Sequence, residues 1–176
     1  MHVRKTRGPT NKEIALSASE VHATSSDPSG RKVDFNLEVT IIPVTDVDRT
    51  REFYQRVGWG LDRDIAPFDG LRIVQFTPPG SGTSVTFGSG LTTAAPGSST
   101  GELVVSDIEA AHDELVDRGI EVSDFWHGAP FPVRARQPGL HPTRDSYRSF
   151  FYFDDPDGNT WLVQEVTSRD WTPPKA

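Results

Sequence analysis

The stretch FDDPDGNTWLVQEV, Phe153 to Val166, decides the fold of this chain. An aromatic segment ends at a turn that contains Pro156 and Gly158, and alternating apolar residues follow the turn. Proline fixes φ and glycine tolerates left-handed backbone, so the pair marks a tight turn. Alternation of apolar and polar residues favours a β-strand. The stretch therefore predicts two strands joined by a turn.

An internal repeat connects this hairpin with the rest of the chain. Pro43 to Asp64 aligns without gaps with Val104 to Phe125 at an offset of 61 residues. Phe76 to Thr83 aligns with Phe153 to Thr160 at an offset of 77. The difference, 77 minus 61, places an insertion of 16 residues inside the second copy.

Each copy of the repeat has the same local pattern. An apolar strand pattern comes first, a capping aspartate (Asp46 or Asp107) follows, and helical spacing then runs to Gly58 or Gly119. The hairpin pattern completes each copy. The sequence thus predicts an α+β fold with two βαβββ modules, paired into a curved mixed sheet with the helices outside and a concave cleft.

The composition predicts where this domain begins and ends. Residues 1–33 are rich in Ser, Thr, Gly, Pro and charge, which is typical of a disordered tail. We predict one domain over 34–168, with module one at about 36–90 and module two at about 99–167. Residues 169–176 are expected to form a C-terminal tail.

Charge and cysteine content exclude several classes of function. The chain has 176 residues, a net charge of −7 and no cysteine. It therefore lacks disulfides and thiolate metal sites, and an acidic protein lacks the basic footprint of a nucleic-acid-binding protein. No apolar run has the length of a membrane span, and the basic N-terminal segment lacks the apolar core of a secretory signal. We expect a cytoplasmic protein with neither nucleic acid nor membrane as partner.

The repeat and the hairpin together resemble the vicinal oxygen chelate superfamily of glyoxalase I, extradiol dioxygenases and bleomycin-resistance proteins. The resemblance covers about 36–166 and depends on EVTIIPVTDVDRTREFY, VVSDIEAAHDEL and FDDPDGNTWLVQEV. It implies one of three activities: lyase or isomerase chemistry, dioxygenase chemistry, or sequestration of a ligand without catalysis. Relatives often form dimers, so the resemblance is also compatible with a homodimer.

Metal-binding relatives hold the ion with up to four His or Glu side chains. Carried over to this sequence, the resemblance places those ligands at Val39, Thr100 and Leu162, with Val85 as the fourth through the offset of 77. None of these side chains supplies the imidazole or carboxylate donors that a divalent metal requires. We therefore predict no metal and no cofactor.

Strand alternation predicts which residues line the cleft in place of metal ligands. Ile41, Glu102, Phe87 and Gln164 lie two residues from the four implied positions. A carboxylate among apolar neighbours suits a general acid or base, which makes Glu102 the candidate catalytic residue. The alternative is a solvated or arginine-paired carboxylate at a strand end. Gln164 is expected to orient a ligand.

The insertion is long enough to cover the cleft, as binding loops often do. His127, His141, Arg144 and Tyr147 are its candidate ligand contacts, together with the wall residues Val39, Ile41, Thr100 and Leu162. Its arginines favour an anionic or aromatic small molecule, unless they only offset acidic neighbours. His127 and His141 with Glu102 would also supply enough donors for an unconventional metal site.

These observations leave three functions open. The first is a small-molecule-binding protein with a metal-free apolar cleft, with or without acid/base chemistry of the isomerase or lyase type. The second is a resistance protein that sequesters its ligand without catalysis. The third is a metal-dependent lyase or extradiol-type dioxygenase with displaced ligands.

Overall fold

The computed structural model describes residues 34–128 and 135–169. The predicted tails, apart from Arg169, lie outside these ranges, as does part of the insertion. The helices are α1 (Val47–Val57) and α2 (Ile108–Asp117). The strands are β1 (Val39–Ile41), β2 (Gly60–Phe68), β3 (Leu71–Thr77), β4 (Ser84–Phe87), β5 (Thr100–Val105), β6 (Trp126–His127), β7 (Gln137–Pro138), β8 (Ser149–Asp154) and β9 (Thr160–Glu165).

The strands form two sheets, one from each copy of the repeat. Module one has the order β1-β4-β3-β2, and module two has the order β5-β9-β8-β6-β7. In both sheets the first strand of the module pairs in parallel with the last, and the hairpin strands pair antiparallel. The predicted α+β fold with two βαβββ modules is confirmed. The insertion adds one short strand, β7, at the edge of the second sheet.

The two helices begin at the predicted aspartates. The side chain of Asp46 accepts a hydrogen bond from the backbone N–H of Arg49, and Asp107 does the same for Ala110. Such caps satisfy amides that lack a partner in the first helical turn. Gly58 ends α1 at φ 94°, a left-handed conformation that glycine adopts without steric cost.

One continuous hydrophobic core lies between the helices and the two sheets. It contains Phe53, Tyr54 and Trp59 of module one and Phe151, Phe153 and Trp161 of module two. The rings of Tyr54 and Trp59 stack at 4.7 Å, and Trp161 meets the ring of Trp59 edge-on at 5.1 Å. The aromatic side chains thus join the modules into one core.

The DPDGN turn contributes polar bonds at the same junction. The buried Asp155 accepts hydrogen bonds from the backbone and side chain of Asn159 and from the hydroxyl of Tyr54. Asn159 also donates to the carbonyl of Pro43 at 2.9 Å, and Asp157 accepts from Thr45. The motif therefore attaches module two to the start of α1, in addition to forming the hairpin turn.

No helix among the described residues is long and apolar enough to cross a membrane.

Candidate functional site

Each sheet has one face against the helices and one face that the helices do not cover, which we call the open face. In module two, Glu102 is opposite Leu162 and Val104 is opposite Gln164 in the parallel register. Their sequence neighbours Leu103 and Val163 point toward the helices and the core. Thr100, Glu102, Leu162 and Gln164 thus share the open face, as strand alternation predicts.

On the open face of module one, the predicted register of β4 is shifted by one residue from the observed register. Val39 and Ile41 are on it, and both are exposed. Val85 and Phe87, by contrast, are at most 4% exposed and belong to the core, so their placement in the cleft is wrong. Ser84 and Thr86 are the side chains opposite Val39 and Ile41.

A longer turn in module one causes this error. Val85 is opposite Phe76, whereas Trp161 is opposite Phe153, so β4 aligns with β9 at an offset of 76 and not 77. The residue equivalent to Leu162 is therefore Thr86. One extra turn residue reverses the faces of the strand that follows it.

The side chains at the four equivalent positions do not fit a divalent metal. With the register corrected, these positions are Val39, Thr100, Thr86 and Leu162. Two are hydrocarbons and two are neutral hydroxyls, which are poor substitutes for imidazole and carboxylate ligands. Elsewhere in the described ranges, no three His, Asp or Glu side chains are grouped as metal ligands would be.

A second, smaller hydrophobic cluster lies on the open face of module two. It consists of Trp126, Phe150 and Leu162, each at most 7% exposed. The rings of Trp126 and Phe150 stack at 4.3 Å, and the guanidinium of Arg136 lies 3.9 Å from the Trp126 ring centroid. Arg136 belongs to the insertion, so the insertion covers this part of the open face. Sequence reasoning missed Trp126 and Phe150, although alternation from Gln164 across the hairpin would have identified Phe150.

Gln164 borders this cluster and has an unusual environment for an amide. It is 7% exposed, and within the described part of the chain its side chain makes no hydrogen bond, while its amide atoms keep some contact with solvent. Tyr152 and Val104, which are 38% and 49% exposed, lie on the same face. The geometry leaves the Gln164 amide available to a bound molecule beside apolar side chains.

Glu102 is exposed and has no ion-pair partner among the residues described. The environment corresponds to the solvated alternative and not to a carboxylate among apolar neighbours. Its position opposite Leu162 still places an acceptor on the open face next to Val104. The catalytic role of Glu102 stays a prediction.

Module one contributes a polar group that the sequence did not reveal. The carboxylate of Asp62 accepts hydrogen bonds from Gln75 at 3.1 Å, Thr77 at 2.6 Å and Ser84 at 3.3 Å. These bonds, the one from Thr77 foremost, hold the pKa of Asp62 below its ordinary value. A β-bulge in β2 between Leu61 and Arg63 places Asp62 there, and no signal in the sequence indicated that bulge.

The two histidines of the insertion are on the other side of sheet two. His127 is opposite Ser149, one residue out of phase with Trp126 and Phe150, and so points away from the open face. The centroid of its ring lies 5.7 Å from the centroid of the His141 ring. The backbone N–H of His141 donates a hydrogen bond to the hydroxyl of Ser149. The structure therefore separates both histidines from Glu102, and the unconventional three-residue metal site does not form.

The guanidinium of Arg144 lies on the helix side, and the backbone of Tyr147 pairs with the end of β9. The guanidinium of Arg144 donates to both carboxylate oxygens of Glu165 at 2.9 and 2.5 Å and to Glu109 at 2.6 Å. Glu165 is 1% exposed and faces away from Gln164. The backbone N–H of Tyr147 donates to the carbonyl of Glu165. Arg144 thus neutralises a buried carboxylate instead of pointing into the open face.

Comparisons with known proteins agree with this architecture. No curated protein sequence matches the chain. TnmS3, an antibiotic binding protein from Streptomyces sp. CB03234, is 27% identical, with a TM-score of 0.58 over 77% of this chain and 99% of that chain. A glyoxalase/bleomycin resistance protein from the same organism is 28% identical, with a TM-score of 0.55 over 74% of this chain and 100% of that chain.

A third solved structure is a superfamily member from Sphaerobacter thermophilus DSM 20745. It is 26% identical, with a TM-score of 0.56 over 75% of this chain and 98% of that chain. A family model also matches residues 36–163, and its description is Glyoxalase/Bleomycin resistance protein/Dioxygenase superfamily. The chain therefore belongs to the Glyoxalase/Bleomycin resistance protein/Dioxygenase superfamily.

Proposed function

We propose that the open face of module two binds a small, largely apolar organic molecule without a metal ion at the family positions. The observation that carries this proposal is Gln164, a largely buried residue whose amide reaches solvent and has no hydrogen-bond partner in the described chain, beside the cluster of Trp126, Phe150 and Leu162. Binding pockets combine apolar walls with a few orienting polar groups of this kind.

The charges of the open face favour a ligand that donates hydrogen bonds. Glu102 and Asp62 supply carboxylates on the two sheets, and Gln164 supplies an amide. The predicted preference for an anionic ligand depended on arginines of the insertion. Arg144 is bound to Glu165, and Arg136 lies over Trp126. A planar aromatic molecule that donates hydrogen bonds therefore matches these acceptors.

The neighbouring structures support a binding role. TnmS3 is an antibiotic binding protein, and the match covers 77% of the present chain. We therefore favour sequestration of an aromatic antibiotic or toxic metabolite as the function of this chain. We place the protein in the cytoplasm, where the absence of cysteine and hence of disulfides is no disadvantage. A homodimer stays a prediction.

Proflavine, a planar cationic amine whose fluorescence reports binding, is a suitable probe. Glu102→Gln and Gln164→Leu should each weaken its binding by about tenfold or more, the effect of one lost hydrogen bond to a ligand. Gln55→Leu on α1 is the matched control and should leave the affinity unchanged. Anthraquinone-2-sulfonate, an anion of similar shape, should bind more weakly than proflavine.

Two results would overturn this proposal. One is no saturable binding of either probe, and the other is binding that both open-face variants leave unchanged. Gln164→Leu should not lower the urea midpoint of unfolding, because it removes no hydrogen bond within the described chain. A loss of binding with normal stability therefore locates the ligand at this amide.

Acid/base catalysis by Glu102 is a second candidate function, because its carboxylate has no ion-pair partner among the described residues and shares the open face with Gln164. Mass analysis of a bound compound after incubation distinguishes the two candidates. Recovery of the unchanged compound indicates sequestration. A converted product whose formation stops in Glu102→Gln indicates catalysis.

A further inference from the structure

A cavity lies on the helix side of the molecule. It has a volume of about 210 Å³ and is formed where α2 passes over the contact between the two modules. Module one contributes Val57, Trp59 and Pro78, and module two contributes Leu103 and Leu115 among other apolar residues. The strands of sheet two separate most of this wall from the open face, because Leu103 and Glu102 point to opposite sides.

This cavity is a recess that opens to solvent, and its volume is large enough for a small organic molecule. A water occupies about 30 Å³ in the liquid, and apolar cavities of about 150 Å³ stay dry and bind benzene. The space beneath α2 is larger than that, and its inner wall includes Phe151, Phe153 and Val163, each at most 2% exposed.

The entrance of the cavity carries one charged side chain. Glu114 of α2 is the single ionisable residue in the described lining, and its side chain is exposed at the surface. One carboxylate oxygen, Oε1, accepts two hydrogen bonds from Arg118 at 2.8 and 3.1 Å. The other oxygen, Oε2, has no partner among the described residues. A molecule with an apolar ring and an amino group would bury the ring and place the amine against Oε2.

We propose that this cavity is a second binding site, for a compact single-ring hydrophobic molecule, with preference for an amine over a carboxylate at the entrance. The site is distinct from the open face, since all of its lining residues except Val104 lie on the helix side of sheet two or in module one. Its ligand is smaller than the one proposed for the open face. The two sites can therefore be tested separately.

Toluene, benzylamine and benzoate serve as probes, with methyl NMR spectra of the full chain as the readout. Toluene and benzylamine should cause saturable shifts at the methyl groups of Leu103, Leu115 and Val163. Benzylamine should bind more tightly than toluene, and benzoate should bind most weakly. Glu114→Gln should remove the difference between benzylamine and toluene, and Asp113→Asn on the same helix is the matched control that keeps it.

A cavity-filling variant gives the decisive comparison. Ala111 lines the cavity and is partly buried, so Ala111→Leu should weaken toluene binding by about tenfold or more. Leu115→Phe is a second filling variant in case the first fails to fold. Proflavine binding at the open face should be unchanged in both. The proposal is overturned if no saturable shifts occur, if filling the cavity leaves them unchanged, or if they appear at Leu162 instead of Leu103, Leu115 and Val163.

Discussion

The hydroxyl of Tyr54 should be worth about 2 kcal/mol to the folded protein. Tyr54 is fully buried at the junction of the modules; its hydroxyl accepts a hydrogen bond from the indole N–H of Trp161 at 2.9 Å and donates to Asp155 at 3.3 Å. Burial, followed by the charge of Asp155, raises the pKa of Tyr54 well above its ordinary value. The hydroxyl therefore keeps its proton, and its role as donor, through the neutral range.

Tyr54→Phe removes this hydroxyl without changing the shape of the ring. The indole N–H of Trp161, which is 6% exposed, then has no partner, and a buried unsatisfied donor costs about 1–3 kcal/mol. Asp155 loses less, because Asn159 and the backbone of Asp157 still donate to it. A loss of about 2 kcal/mol corresponds to a decrease of about 1 M in the urea midpoint, for a slope of about 2 kcal/mol/M.

The assay is urea unfolding followed by circular dichroism, with Tyr152→Phe as the matched control. Tyr152 is 38% exposed, and its hydroxyl makes no hydrogen bond to any residue in the described ranges. Its removal should change the free energy of unfolding by less than about 0.5 kcal/mol. Equal effects of the two substitutions would refute the assignment of the Tyr54–Trp161–Asp155 network as a stabilising junction.

Three further predictions concern packing, a buried ion pair and acid stability. Gly101→Ala should destabilise the fold by about 1–3 kcal/mol, because the added methyl group would overlap the six-membered ring of Trp161. Arg144→Ala should cost about 3 kcal/mol, since it leaves the buried carboxylate of Glu165 without its partner. Hydrogen bonding from Arg72 lowers the pKa of Asp64 in the folded protein. The folded protein therefore binds fewer protons at Asp64 than the unfolded chain does, and the free energy of unfolding should fall as the pH drops below about 4.

Each of these predictions has a control within the chain. Gly82→Ala adds a methyl group into open space and should leave the free energy of unfolding unchanged. This control tests whether steric overlap, and not a loss of backbone flexibility, explains the effect of Gly101→Ala. Arg118→Ala breaks an exposed pair with Glu114 and should cost less than about 1 kcal/mol. Asp64→Asn should make the acid dependence of the urea midpoint shallower. Equal losses from Arg118 and Arg144, or an unchanged pH profile in Asp64→Asn, would contradict the reasoning.

The fold followed from the sequence because its main signals are local. The repeat, the capping aspartates and the turn glycines each determine a short stretch of backbone, and they appear at the predicted places apart from the register of β4. The open face of module two followed for the same reason. Alternation along β5 and β9 needs only the correct starting residue, which the family resemblance supplied by counting from Asp107 for β5 and from Gly158 for β9.

The errors arose where the structure depends on distant or irregular features. The one extra turn residue in module one moved Val85 and Phe87 into the core and Thr86 onto the open face. A bulge placed Asp62 beside Thr77. The partners of insertion residues were not readable from the sequence, because loop residues have no period that indicates direction.

The measurement that tests the central claim most directly is a proflavine titration of protein dialysed against EDTA, with and without added Zn²⁺ or Mn²⁺. Because Val39, Thr100, Thr86 and Leu162 offer no imidazole or carboxylate, the affinity should be the same in all three conditions. It should fall by about a hundredfold in the double variant Glu102→Gln/Gln164→Leu, as two lost hydrogen bonds predict. Binding that chelation abolishes and metal restores, with full affinity in the double variant, would contradict a metal-free site on the open face.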